Sequence, residues 1–145
     1  MLGEAIVSRL TTAQSGDNAG QTAALGVLTA SIGTQVYPGR SDRDIYPFVA
    51  YGIRQEAEDS ITARAMKEFT VTLWIETRGA GAYKQAQAIK QAIRTLLDRQ
   101  GGTWGGVVVK GFWFVDSEEN DSSDGGNSDA LFYEVEEEYH VWAAA

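Results

Sequence analysis

Residues 67–99 constrain what this chain can fold into more than any other stretch. From Lys67 to Thr77 the side chains alternate, with Phe69, Val71, Leu73 and Ile75 facing one way and Thr70, Thr72, Trp74 and Glu76 the other. Gly79-Ala-Gly81 then supplies a turn, where glycine reaches positive φ without steric cost. Residues 82–99 set Tyr83, Ala86, Ile89, Ile93, Leu96 and Leu97 on one helical stripe, opposite lysine, glutamine and arginine. A half-apolar strand running into an amphipathic helix calls for a helix-on-sheet layer, because each element has one face to cover.

The flanking pattern extends that layer. Leu2, Ala5, Ile6, Leu10 and Ala13 make a helical stripe over residues 1–13, and 14–22 read as a loop. Residues 23–32 read as a short helix or turn ended by Gly33, and Gln35-Val36-Tyr37 as a possible short strand. Phe48 to Ile53 reads as a strand, continuing as far as Glu56. Gly101-Gly102 is expected to stop the long helix. Val107 to Val115 is apolar on both faces, as for a central or interface strand. Residues 116–129 read as an acidic, mobile loop.

The last strand, 130–142, puts Leu131, Tyr133, Val135, Tyr139 and Val141 on one face. Phe132, Glu134, Glu136, Glu138, His140 and Trp142 take the other. Glu137 falls on the apolar face and predicts a bulge or a strand end there. The expected fold is α+β: a mainly antiparallel four-stranded sheet with two helices packed on one face. The 107–115 strand is expected to run parallel in direction to 67–77 and to lie beside the first strand rather than pair with the second.

A length of 145 residues with 43% hydrophobic content fits one domain spanning 1–145. There is no apolar run of roughly 18 residues, so no membrane span is expected, and Met1-Leu-Gly-Glu lacks the basic start of a signal peptide. With no cysteine, the chain has neither disulfides nor thiolate metal sites and suits assembly in a cytoplasm. The net charge is −8, and all twelve basic residues lie at or before Lys110, while 111–145 carry ten acidic ones. An acidic surface repels phosphate, so the C-terminal third is not expected to bind DNA.

No catalytic, cofactor or metal site emerges. The dinucleotide fingerprint would need glycine where Lys84 stands, and a P-loop would need Gly-Lys-Ser/Thr, so Gly79-Ala-Gly81 reads as a tight turn. Asn120 to Gly125 spaces oxygen ligands as a calcium loop does, but it begins with Asn and has Leu131 at the twelfth position. His140, the single histidine, has no arrangement of partners for catalysis. Glu134, Glu136 and Glu138 sit about 7 Å apart along one strand face, a spacing that suits a hydrated or partnered face better than a glycosidase pair. Trp74 and Trp142 lie on the polar faces of their strands and are candidate contact residues.

Tyr37-Pro-Gly39, Tyr46-Pro-Phe-Val-Ala-Tyr51, Phe69-Thr-Val-Thr-Leu-Trp-Ile75 and Arg78-Gly-Ala-Gly-Ala-Tyr83 together resemble the tail completion or tail terminator proteins of long-tailed bacteriophages. The resemblance runs from about Val36 to Leu97. It implies a non-enzymatic virion subunit that forms a ring, typically a hexamer, at the head-proximal end of the tail tube. Such a ring stops tube polymerisation, meets the neck or stopper protein of the head, and lets DNA pass through its centre. A ring needs two different patches per subunit. Trp74, Trp142 and exposed strand edges are candidates for one, and the mixed-charge loop Arg40 to Asp44, with Arg40 and Arg43, for the other. Glu134, Glu136 and Glu138 are candidates for an acidic channel wall that repels DNA and lets it slide. Another head–tail connector component, such as a head-closure or minor tail protein, is the nearest alternative. A small-molecule-binding module or enzyme would need convergent polar groups around a pocket.

Overall fold

The computed structural model describes residues 1–39, 45–58, 66–122 and 132–144. In chain order they form α1 (Leu2–Thr11), α2 (Ala19–Ser31), β1 (Val36–Pro38), β2 (Phe48–Glu58), β3 (Met66–Arg78), α3 (Ala82–Leu97), β4 (Gln100–Trp104), β5 (Val107–Ser122) and β6 (Phe132–Ala144). The strands make one mixed sheet in the order β1-β2-β3-β6-β5-β4, curled into a half-barrel. Among the described residues, only β1–β2 is a parallel pair. The expected four strands and two helices are therefore corrected to six strands and three helices.

Three further corrections trace mainly to how the strands pair. Residues 100–104 form β4 instead of stopping the helix: α3 ends at Leu97, and Arg99 takes the left-handed turn at φ 60°. A Cβ on Gly101 would meet the carbonyl oxygens of Val109 and Lys110 at 2.9 Å, so this glycine serves close strand approach. Residues 116–122, expected as loop, extend β5, because β6 is long enough to pair with them down to Ser122. The 107–115 strand does not lie beside the first strand as expected: β2 is on the far side of β3, and β5 pairs instead with β6, which inserts between β3 and β5. Its direction relative to β3 is nonetheless parallel, through two antiparallel steps.

The three helices share one core with the inward face of the sheet. Phe69, Val71, Leu73, Ile75, Val135, Tyr139 and Val141 meet Ala86, Ile89, Ile93, Leu96 and Leu97 of α3, and Ile6, Leu10 and Leu28 close the layer. Each such aliphatic side chain contributes about 1.5–3 kcal/mol on full burial. α1 touches both edge strands, β1 and β4, as the curl of the sheet permits. α2 starts at a capping box: Asn18 accepts from the Gln21 amide, and the Gln21 side chain accepts from the Asn18 amide. Tyr83, expected on the buried stripe of α3, is instead 60% exposed, its ring edge-on to Tyr133 at 5.0 Å.

Glu137 is the sharpest departure. It marks neither a bulge nor a strand end, since β3 and β6 pair without interruption through Leu73 and Glu137. Its carboxylate is fully buried and accepts from Arg94 Nε at 2.6 Å and Nη2 at 3.1 Å. The guanidinium also lies 4.1 Å from the centre of the Phe114 ring. That hydrogen bond to Glu137 pushes the Arg94 pKa up, which keeps the guanidinium charged.

Candidate functional site

The sheet face turned away from the helices carries most of the residues singled out above. Alternation along β3 and β6 sends Trp74, Glu134, Glu136, Glu138, His140 and Trp142 to this outer face together. Arg40 and Arg43 lie outside the described residues.

The middle of the face is a strip of carboxylates. Asp116 stands opposite Glu138, Glu118 opposite Glu136, and Glu76 opposite Glu134. Like charges set directly across a strand pair oppose pairing. Hydrogen bonding and solvation offset this. Trp74 Nε1 donates to Glu136 Oε1 at 3.2 Å, and the exposed carboxylates Asp116 and Glu118 remain in water. A shallow depression of about 270 Å³ lined by Thr72, Asp116, Glu118, Glu136 and Glu138 follows the strip. A second, of about 290 Å³, adjoins it between Arg54 and Trp74. Among the described residues, no three His, Asp or Glu side chains converge as metal ligands.

At one end of the face stands an aromatic group. Trp142 is 38% exposed and its Nε1 donates to Glu68 Oε1 at 2.8 Å. Trp113 is 42% exposed, with its ring 6.3 Å from that of His140. It lies across Gly111, where a Cβ would approach the indole to 2.1 Å. Sequence reasoning passed over Trp113 because the segment looked apolar on both sides. The missing signal was the spacing Gly111-x-Trp113, which leaves the indole a bare backbone to lie on. Trp74, by contrast, sits in mid-sheet with its ring packed on Gly52, half-buried, away from this group.

Two polar clusters elsewhere are satisfied internally. On the helix side, Glu119 accepts from Gln87 and, at 3.1 Å, from Lys90, and the Gln87 hydrogen bond holds its carboxyl below the usual range. A depression of about 400 Å³ between the α1–α2 loop and β4 includes buried Arg9. That cation is neutralised by Asp17 at 2.9 Å and donates through Nε to the Leu96 carbonyl at 3.1 Å.

No protein-family model and no curated protein sequence matches this chain. Among solved structures, its fold is similar to that of a chain in the virion of a native gene transfer agent particle. The two share 16% sequence identity with a TM-score of 0.63, over 99% of this chain and 95% of the other.

Proposed function

We propose that this chain is a non-catalytic structural subunit of a virion that acts as a tail terminator. In this reading copies form a ring, most simply a hexamer, that caps the head-proximal end of the tail tube. The ring stops tube growth and offers its other side to the neck or stopper protein. The observation that carries the virion reading is the fold shared along almost the whole chain with a chain of a virion particle. The terminator role rests on the motifs of residues 36–97. The outer face suits a passage for DNA, because Glu134, Glu136, Glu138, Asp116 and Glu118 present negative charge and phosphate would slide past rather than adhere. A ring structure with these carboxylates on its outer rim would sink that part of the proposal.

The test is to add the purified protein to polymerising tail-tube subunits and measure tube length by negative-stain microscopy. Tubes of limited length ending in a ring are expected. Indefinite growth with bare ends overturns the terminator role.

A further inference from the structure

We propose that the aromatic end of the outer face, Trp113, His140 and Trp142, docks the opposite end of the same face, Arg78 and Phe132 with the exposed Ile45 that precedes β2, on a second copy of this chain. The proposal deepens the ring reading and rests on it for closure. The first end is a built surface. Gly111 beneath Trp113 and Glu68 at the Trp142 indole hold both tryptophans in place while they stay 42% and 38% exposed. Rigid aromatic area that costs little ordering to bury is what anchors protein contacts.

The second end has the complementary chemistry. Arg78 is exposed, with its guanidinium 4.8 Å from the Phe132 ring centre and 5.8 Å from that of Tyr46. Ile45, next in sequence to Tyr46, is 64% exposed. Tryptophan is the best ring for a cation–π contact with a guanidinium, and Glu68 opposite Trp142 adds the matching negative charge.

The charge of the face decides how two copies can meet. Full overlay would press the strip of Asp116, Glu118, Glu134, Glu136 and Glu138 against the matching strip of the second copy. An overlap of opposite ends avoids that clash and leaves the strip uncovered. Such a contact joins two different patches, so it is heterologous and runs head to tail, closing into a ring where the rotation permits.

Sedimentation velocity on the full chain, from micromolar to millimolar concentration, tests this. Wild type is expected to associate beyond a dimer. Trp113→Ala and Arg78→Glu should each weaken association at least tenfold, with melting temperatures checked to show that both fold. Ile45→Asp repeats the second arm without touching the Arg78–Phe132 stack. The decisive arm mixes Trp113→Ala with Arg78→Glu: each supplies the patch the other lacks, so heterodimers should form and stop there. A wild type monomeric at millimolar concentration overturns the proposal. So does either variant assembling like wild type, or a mixture that yields no heterodimer. Tubes still capped by Trp113→Ala would sink this contact but not the terminator role. Head-to-tail association without capping would do the reverse.

Discussion

Glu136, Glu137 and Glu138 are consecutive residues of β6 with identical side chains, and they meet opposite environments. Glu137 points under α3, fully buried, with both oxygens held by Arg94. Its two neighbours point to the outer face, opposite Glu118 and Asp116. Burial makes the first a group whose partner is indispensable, because an unpaired charge in the core costs several kcal/mol. The other two are half-buried at the outer surface, Glu136 accepting from Trp74, so their charge is partly hydrated and matters less to stability. Strand alternation alone assigns these roles.

The contrast is most strongly tested by Glu137→Ala. It strands Arg94 beneath Phe114, and unfolding in urea should show a loss of about 3 kcal/mol. Replacing both partners, Arg94→Leu with Glu137→Leu, should return the midpoint to within about 1 kcal/mol of wild type, because the desolvation cost then disappears with the pair.

A smaller effect is expected next door. The Tyr139 hydroxyl is buried without a hydrogen-bond partner among the described residues. Tyr139→Phe should therefore stabilise by about 1 kcal/mol. Burial, assisted by Glu137, raises the Tyr139 pKa well above its ordinary value. The neutral form is favoured in the fold, so its contribution is intact below about pH 10 and falls as the unfolded chain ionises above that. Thermal melts from neutral to alkaline pH should show a steeper decline for wild type than for Tyr139→Phe.

The smallest effect belongs to the outer face. Glu138→Gln relieves the opposition to Asp116 and should stabilise by about 0.5 kcal/mol or less. Added salt should raise the wild-type melting temperature more than that of the variant, since screening does what the substitution does. A loss above 1 kcal/mol would show that the two kinds of glutamate are not divided as described.

Much of this division was legible in the chain. The alternation of 67–77 and 130–142, the helical stripe of 82–99 and the shared outer placement of Trp74, Trp142 and the three glutamates follow from periods of 2 and 3.6. What escaped was non-local. Arg94 reaches Glu137 from 43 residues away, so a lone carboxylate on an apolar face looked like a defect. β4 owes its existence to pairing with β5 and to Trp104 packing in the core, while Gln-Gly-Gly-Thr has no strand preference of its own. The insertion of β6 between β3 and β5 leaves no local trace at all. Residues 116–122 looked like loop because their acids match a hydrated strand face as well as they match a turn.

The register shift between Phe114 and Asp116 has a consequence for how the face is encoded. Val115 is the extra residue, and it changes the parity of the strand. Before it, odd-numbered Trp113 faces out; after it, even-numbered Asp116 and Glu118 do, while Glu119 turns inward to Lys90. Were all residues paired one for one, Val115 would stand against Glu138, and Asp116 would be driven under α3 beside Glu137. One supernumerary valine thus turns Asp116 and Glu118 outward and brings Glu119 to the helix side, where Lys90 meets it. The charge of that surface is written in a residue count as much as in the identity of its residues.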